Sequence, residues 1–283
     1  MEQISNINIY NERMSKSLID KAFFLDKVEG NNFVDFGCAD GTLIYYLFKM
    51  FPFYCFYGYD TSEEMIKIAK NHFKQNFPDD FKKLPEGKIL PATIDFTTNY
   101  DEIAKTVKRL RSQGIGNSVL ILSSIIHEVY SYSNTEEIDS FWNRVFSGDY
   151  KYIVVRDMLP KHSLDKKSDI NDVIKLRRNE KYSKELADFE NIWGSIENNK
   201  NLVHFLLKYR YENNWKREVK ENYFPLYAEE FQKKINENYD CTYYEEFVLP
   251  FTKTQIKNDF DVDLKDTTHV KCILKLKDNI AKS

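Results

Sequence analysis

The sequence predicts an α/β fold: a mostly parallel sheet of seven strands, with helices on both faces and an antiparallel hairpin at its carboxyl end. Short apolar runs alternate with segments of helical period through the first 155 residues. The run Asn32 to Phe36 ends at a glycine turn, as a buried parallel strand does. Two late runs, Thr242 to Leu249 and His269 to Leu276, have strand character and would pair as the closing hairpin.

The bulk properties of the chain favour one globular domain. Its 283 residues can bury a large core and show no repeat or flexible linker, so we expect a single domain over residues 1–283. The net charge of −3 excludes a strong general attraction to nucleic acid or to anionic membranes. No metal-ligand spacing links the four cysteines, and no apolar run approaches the roughly 20 residues of a membrane span. We therefore expect a cytoplasmic protein with reduced thiols and no membrane association, and leave its oligomeric state open.

The first elements surround a glycine turn. Residues 8 to 28 carry apolar side chains at three- and four-residue steps and predict a leading helix. After the first strand, Gly37 opens the turn and helical spacing begins at Thr42, so free N–H groups and close backbone approach are available to a ligand. A second strand, Cys55 to Tyr59, ends at Asp60, about 20 residues on, where α/β nucleotide sites use an acid to bind ribose hydroxyls.

The turn has the pattern D-x-G-x-A-x-G from Asp35 to Gly41. This pattern resembles the first motif of class I S-adenosylmethionine-dependent methyltransferases, in which an acid precedes three glycines at alternate positions. A dinucleotide fingerprint, G-x-G-x-x-G, does not fit because Ala39 stands two residues after Gly37. Ala39 is also the departure from the methyltransferase motif, since it adds a methyl group where the backbone nears the cofactor. The alternative is an ordinary strand, turn and helix without a ligand.

The resemblance implies S-adenosylmethionine as the cofactor and suggests which residues bind it. Asp60 would bind the ribose, and it opens the segment Asp60 to Met65 at a helix start, where Ser62 is a plausible N-cap. The tip of a third strand, Lys88 to Ile94, would offer Asp95 and Phe96 to the adenine, although Asp95 could also cap the helix Asp101 to Ser112. The implied cofactor-binding residues are Asp35, Gly37, Cys38, Ala39, Gly41, Asp60, Thr61, Met65, Asp95, Phe96, Ser123 and Ser124. In many family members the leading region folds over the cofactor, which makes Tyr10 and Arg13 candidate lid residues on the substrate side.

The apolar run Val119 to Leu122 predicts the central buried strand. Ligands collect beyond the carboxyl ends of such strands, so His127 and Glu128 are the best candidates for acid–base catalysis. A histidine titrates near neutrality and could take a proton from a hydroxyl or amine. An equal alternative is a structural histidine bonded to a neighbouring loop. The E-x-x-E-H-x-x-H metal pattern of small-RNA 3′-end methyltransferases is missing, so no metal is expected.

A helix from Thr135 to Phe146 and a fifth strand from Tyr152 to Val155 complete the regular alternation. Arg156, at the tip of that strand, could bind an anionic group of the substrate, with a structural salt bridge as the equal alternative. Tyr130, in the segment after the central strand, is a further candidate for substrate binding.

Residues 161 to 223 then predict an inserted helical cap, at the place where this family commonly carries a substrate lid. The insertion holds 14 basic and 11 acidic residues. Its stretch His204 to Arg217 interleaves bases and aromatics, which could stack nucleobases, although helix packing with basic side chains along the edge is favoured. A final helix is expected from Leu226 to Ile235.

Together these features predict an S-adenosylmethionine-dependent methyltransferase acting on an oxygen or nitrogen atom. A small-molecule acceptor is the first hypothesis. An RNA methyltransferase using the basic aromatic cap is the alternative enzyme, and a non-catalytic S-adenosylmethionine-binding protein is the alternative from another class.

Overall fold

The computed structural model describes residues 18–76, 94–148 and 150–278. Its centre is one seven-stranded sheet with the order β3-β2-β1-β4-β5-β7-β6. The strands are β1 (Asn32–Phe36), β2 (Cys55–Tyr59), β3 (Ile94–Thr97), β4 (Ser118–Ser123), β5 (Tyr152–Asp157), β6 (Tyr239–Phe247) and β7 (His269–Leu276).

Strands β1 to β5 run parallel, and β7 pairs antiparallel with both β5 and β6. The predicted fold class, with its antiparallel closing pair, is therefore confirmed. The chain builds β1, β2 and β3 outward in one direction and then returns to place β4 on the other side of β1. The carboxyl ends of β1 and β4 consequently flank the point where the strand order reverses, which is where ligands bind in open α/β sheets.

Twelve α-helices surround or extend the sheet in the described part of the chain. Those of the first half are α1 (Leu18–Lys21), α2 (Thr42–Met50), α3 (Glu63–Asn76), α4 (Tyr100–Ser112), α5 (Ile126–Tyr132) and α6 (Thr135–Ser147). Those of the second half are α7 (Ile170–Arg178), α8 (Ser183–Trp193), α9 (Asn199–Lys208), α10 (Trp215–Glu218), α11 (Ala228–Lys234) and α12 (Pro250–Phe260). None of the helices described is long and apolar enough to cross a bilayer.

Most helix boundaries follow from local chemistry. Asn134 caps α6, and Glu137 returns the bond to the Asn134 backbone, which completes a capping box. Asn99 caps α4 by accepting from the Asp101 N–H, so the alternative role of Asp95 as that cap is wrong. The parts of the predicted leading helix and third strand at residues 8–17 and 88–93 lie outside the described residues.

The apolar side chains form three clusters. Two of them cover the two faces of the sheet, with Val34 and Leu120 on one side and Phe33 and Val119 on the other. The third lies among the helices α7 to α10 and includes Phe205 and Leu206. It also takes in buried residues from α12 and its flanks, namely Val248, Ile256, Phe260, Val262 and Leu264. The predicted cap thus has its own core, shared with a helix outside residues 161–223.

Candidate active site

The backbone of the glycine turn is held open at the end of β1. Gly37, Ala39 and Gly41 have φ angles of 81°, 46° and 75°. These values lie in the left-handed region, which glycine enters freely and alanine enters at a cost of about 1–2 kcal/mol. The N–H groups of Gly37 and Cys38 donate to the Tyr59 carbonyl, which fastens the turn to the end of β2.

Asp60 stands opposite the turn at the tip of β2. Its Oδ2 accepts from the Ala39 N–H and its Oδ1 from the Ser62 N–H, both at 2.9 Å. Burial raises the pKa of Asp60, whereas these two backbone bonds oppose the rise by favouring the carboxylate. Each carboxylate oxygen has a second lone-pair direction and can accept one more hydrogen bond. The geometry therefore suits an acceptor for ligand hydroxyls.

A cavity of about 80 Å³, which we call the turn cavity, lies beneath the turn and between the ends of β1, β2 and β4. Seven of the predicted cofactor-binding residues line it: Asp35, Gly37, Cys38, Ala39, Asp60, Ser123 and Ser124. Gly41 closes the turn behind it, with its N–H bonded to the Cys38 carbonyl at 2.9 Å. Seven residues that the sequence predicted to bind the cofactor therefore surround one cavity in the structure.

The other four predicted cofactor-binding residues do not line the turn cavity. Thr61 and Asp95 are exposed, and Met65 is half-buried on α3. Phe96 is 2% exposed, and its ring fills the space beside Gly41 and Gly58, where a Cβ atom would approach it to within 2.8 Å or less. Phe96 therefore supports the turn from the core. Asp95 and Phe96 point to opposite sides because successive strand residues alternate.

The end of β4 separates the turn cavity from a second, larger space. Ser124 has a φ of 59°, a strained value for a non-glycine residue and one that often marks functional sites. Its N–H donates to the Arg156 carbonyl, and its Oγ accepts from the Arg156 Nη1 at 2.9 Å. The neighbouring Ser123 Oγ is buried and has no hydrogen-bond partner among the described residues. A buried hydroxyl without a partner is costly, which makes Ser123 a candidate contact for a bound group.

The larger space, which we call the large cleft, has a volume of about 670 Å³. It lies between the carboxyl ends of β4 and β5, helices α9 and α12, which carry Leu207 and Phe251, and the bend at Glu221. Lys21, Ser124 and Glu128 line both this cleft and the turn cavity. The turn cavity alone is smaller than the roughly 300–1,000 Å³ of ligand pockets, and the large cleft falls within that range.

His127 is held between two carboxylates. Its Nδ1 lies 2.6 Å from Asp157 Oδ1, and its Nε2 lies 3.3 Å from Glu221 Oε1. Burial by itself would lower the pKa of His127, but the two carboxylates raise it to about 10. His127 is therefore a buried imidazolium at neutral pH, with both ring nitrogens engaged. Its predicted catalytic role stays a prediction, and the alternative of a bonded, structural histidine agrees with this geometry.

Asp157 anchors that pair at the end of β5. Its side chain is fully buried, and it accepts from the backbone N–H groups of Ile126 and Met158 at 2.6 and 2.7 Å. These two bonds and His127 keep the pKa of Asp157 low against the effect of burial. Asp157 thereby joins the end of β5 to the first turn of α5 and fixes where α5 begins.

Glu128 is the acidic side chain at the junction of the two spaces. Burial, with the neighbouring Glu221 charge, raises the pKa of Glu128 to about 7. Arg217 Nη2 lies 3.5 Å from Glu128 and 3.7 Å from Glu221, so one guanidinium faces both carboxylates. His127, Glu128 and Glu221 offer ligand atoms within 4.8 Å of one another and could hold a cation. The positive Arg217 side chain beside them reduces the attraction for one.

Arg156, the candidate for binding an anionic substrate group, lines the large cleft but is already paired. Its Nε lies 2.8 Å from Asp20 Oδ2 on α1, and Lys271 reaches the other oxygen of Asp20 at 2.6 Å. The alternative of a structural salt bridge therefore fits Arg156 better. Tyr130 faces away from the cleft and accepts from the Trp142 indole at 3.0 Å. Tyr10 and Arg13 lie outside the described residues.

The aromatic residues of the stretch His204 to Arg217 are mostly buried. Phe205 and Tyr209 are fully buried, and Trp215 is 9% exposed. Lys208 is also fully buried and donates to the carbonyls of Glu218 and Glu221. Tyr211 is half-buried and lines the large cleft, whereas the other three aromatic residues pack in the helical core, so the alternative of helix packing fits this stretch better.

Four residues of the site were missed by the sequence analysis: Lys21, Asp157, Arg217 and Glu221. Asp157 was the easiest to find, because it ends the predicted fifth strand as Asp60 ends the second. Glu221 and Arg217 lie about 90 residues beyond His127 in the chain, and no local pattern connects them. Lys21 occupies an apolar-looking helix, where burial lowers its pKa to about 8.

Comparisons with known proteins give one family match and several remote structural similarities. Residues 27–138 match the family model described as a methyltransferase domain, and no curated protein matches the chain. Similar solved structures include the methyltransferase domain of bacterial CtHen1-C, with a TM-score of 0.44, 14% identity, and coverage of 93% of this chain and 96% of that one. The structure of the plantazolicin methyltransferase BamL, in complex with a triazolic desmethylPZN analog and SAH, is also similar. Its TM-score is 0.44 at 12% identity, and the match covers 94% of this chain and 88% of that one. No residue role or substrate is transferred from them, because these TM-scores are below 0.5.

Proposed function

We propose that this S-adenosylmethionine-dependent methyltransferase methylates an oxygen or nitrogen atom of a small molecule bound in the large cleft, and that Glu128 accepts the proton released there. The methyltransferase domain matched over residues 27–138 and the seven-stranded fold support the predicted class I, Rossmann-like family. They also support S-adenosylmethionine as its cofactor. The acceptor, the base and the residue roles are our proposal.

The turn cavity supplies the groups that the cofactor needs. Asp60 would accept from the ribose hydroxyls with its remaining lone pairs, the turn from Gly37 to Gly41 would lie against the cofactor, and the unpaired Ser123 Oγ would bond to it. When bound, S-adenosylmethionine supplies a methyl group on a sulfonium that already carries a good leaving group. The protein therefore has to position the acceptor, exclude water and remove a proton.

The observation that carries the proposal is the position of Glu128 where the two spaces meet. Glu128 lines both the turn cavity and the large cleft, with about 30% of its side chain exposed. Its pKa of about 7 divides its population between carboxylate and acid at neutral pH, which suits a group that takes and then releases a proton. An acceptor hydroxyl or amine in the large cleft would give its proton to the Glu128 carboxylate, and the cleft opening would return that proton to solvent.

His127 acts in this proposal as a positioning residue. It is positively charged and has both ring nitrogens engaged, so it is not available as the base. Its bond to Asp157 fixes the first turn of α5, and Glu128 is the next residue of that turn. The imidazolium also neutralises Glu221, which otherwise raises the pKa of Glu128 further.

A small molecule is favoured over RNA by the shape and walls of the cleft. Its volume of about 670 Å³ is typical of small-molecule sites, and apolar side chains such as Met158, Leu207 and Leu249 line it beside the charged ones. Of the aromatic residues that would have stacked RNA bases, Phe205, Tyr209 and Trp215 are buried in the helical core. The predicted cap over residues 161–223 remains part of this proposal, as the wall that completes the acceptor site.

The test uses methyl-labelled S-adenosylmethionine and two fractions of a cell extract, one of low molecular mass and one of RNA. We expect label in the low-mass fraction. The Glu128→Gln protein should lower kcat/KM about 100- to 10,000-fold, the usual contribution of one acid–base group, with an unchanged Kd for S-adenosylmethionine. The wild-type rate should rise with pH through about 7 and then level off, because the base acts when deprotonated.

The matched control is Glu136→Gln, an exposed glutamate on α6 away from both spaces, which should behave as wild type. Label transferred to RNA would overturn the acceptor class. A Glu128→Gln enzyme that keeps its rate and its pH profile would overturn the role of Glu128.

A further inference from the structure

Two buried polar atoms on the wall of the large cleft have no hydrogen-bond partner among the described residues. They are the Arg210 Nε and the Gln255 Oε1, and both residues line the cleft. Buried polar atoms are paired in the great majority of cases, and each exception calls for an explanation. One guanidinium and one amide oxygen, both unpaired on the wall of the same cavity, indicate a missing polar partner.

Arg210 differs from the other two arginines of the cleft. Arg156 is paired with Asp20 at 2.8 Å, and Arg217 faces the carboxylates of Glu128 and Glu221. No acidic side chain in the described ranges lies within ion-pair distance of Arg210. Its guanidinium carbon instead lies 5.6 Å from the ring centroid of Phe251 and 5.8 Å from that of Tyr209. Aromatic faces hold a guanidinium in place without neutralising it, so its charge stays available.

The four acidic side chains that line the cleft all interact with residues other than Arg210. Asp20 binds Arg156 and Lys271, Glu128 faces Arg217, and Glu221 faces His127 and Arg217. Glu218 accepts from the Tyr223 hydroxyl. An anion that satisfies Arg210 must therefore come from outside the described chain.

Gln255 belongs to the same wall as Arg210. It follows Phe251 by four residues on α12, so the two side chains lie on one face of the helix, and both line the cleft. Arg210 packs against that Phe251 ring. The wall therefore combines a cationic donor, an aromatic surface and a free amide acceptor.

We propose that Arg210, Gln255 and Phe251 form a distal subsite that binds an anionic group of the methyl acceptor, a carboxylate or a phosphate, on a molecule with an apolar or aromatic body. The inference rests on the proposed function, since it names the substrate class of the same cleft. Arg210 donates to the anion with its planar fork. Gln255 accepts from a hydrogen-bond donor next to the anion, and Phe251 covers the apolar body. The methylated atom then lies at the other end of the molecule, toward Glu128.

The experiment measures binding of small probes by saturation-transfer NMR, with and without saturating S-adenosylhomocysteine. Benzoate and phenyl phosphate are the anionic probes, and benzamide is their neutral counterpart. We expect wild-type protein to bind at least one anionic probe more tightly than benzamide. The preferred anion tells a carboxylate acceptor from a phosphate one.

Two variants test the assignment. Arg210→Gln should weaken binding of the preferred anion about 10- to 100-fold and leave benzamide unchanged, the loss usual for a bond to a charged group. Gln255→Glu keeps Arg210 in place but supplies an internal carboxylate, and it should abolish the anion preference while the melting temperature holds or rises. Arg178→Gln, an exposed arginine on α7, is the matched control and should bind as wild type.

An anion preference that survives in both variants would overturn the subsite, as would a wild-type protein that binds the anions no better than benzamide. These measurements need no turnover. Failure of the methylation assay with intact anion binding would therefore count against the proposed function alone, and the reverse result would count against the subsite alone.

Discussion

Replacing His127 by glutamine tests whether the imidazolium holds the site together. The substitution removes a positive charge from between Asp157 and Glu221 and leaves the Asp157 carboxylate fully buried. Removing one partner of a buried ion pair typically costs 3–5 kcal/mol. Asp157 keeps its bonds from the Ile126 and Met158 N–H groups, so we expect a loss near the lower end, about 3 kcal/mol of unfolding free energy.

Urea denaturation at pH 7 gives this quantity, and a double-mutant cycle with Asp157→Asn isolates the pair. The double variant should be less destabilised than the sum of the single ones, because it no longer holds the buried Asp157 carboxylate without its partner, and Arg217 still faces Glu221. His162→Gln is the control, since His162 is about half exposed and its contact to Glu230 is 3.7 Å. Its effect should stay within about 0.5 kcal/mol.

The pH dependence has a definite sign. The folded pKa of His127, about 10, is above the unfolded value of about 6.5, so its stabilisation is complete below pH 6.5 and is lost as pH rises through 10. The difference between wild type and His127→Gln should therefore be largest near pH 6 and shrink toward pH 10. A difference below 1 kcal/mol, or one that does not change over this range, would refute the reasoning.

Two further outcomes follow from the turn and from the helical core. Ala39→Gly should raise the unfolding free energy, measured in urea, by about 1 kcal/mol, because relief of the left-handed strain exceeds the added flexibility of the unfolded chain. The control, Ala69→Gly inside α3, should lower the unfolding free energy. A destabilised Ala39→Gly protein would show that the turn is not strained. Replacing residues 161–223 by a Gly/Ser bridge should give an insoluble protein, because the deletion exposes Ile256, Phe260 and Val262, which are buried on and after α12. A soluble product that still binds S-adenosylmethionine would instead support a separable cap.

The parts of the site that could be predicted from the sequence are those built from contiguous residues. The strand, turn and helix around Gly37 and the acid at Asp60 follow from patterns within about 30 residues, and they lie together as expected. Strand alternation was overlooked at Asp95 and Phe96, because adjacent strand residues cannot both face one ligand.

Contacts between distant segments could not be predicted. Glu221 reaches His127, and Arg217 reaches Glu128, only because the helices fold back over the sheet. Helix α12 was missed because it lies between two strands that look like one hairpin, although Pro250 at its first turn is a helix-start signal. That Arg210 has no acidic partner among the described residues can be recognised only when the partners of the other charged side chains in the cleft are known.

Calorimetric titration with S-adenosylmethionine tests the central claim most directly, because it asks whether the turn cavity is the cofactor site. We expect one cofactor to bind per chain and Asp60→Ala to weaken binding by about 1–3 kcal/mol, the penalty for ligand hydroxyls without their acceptor. Asp95→Ala, which removes an exposed aspartate within β3 and outside the cavity, is the matched control and should leave the Kd unchanged. Unchanged affinity in Asp60→Ala, or a loss in Asp95→Ala alone, would contradict the assignment.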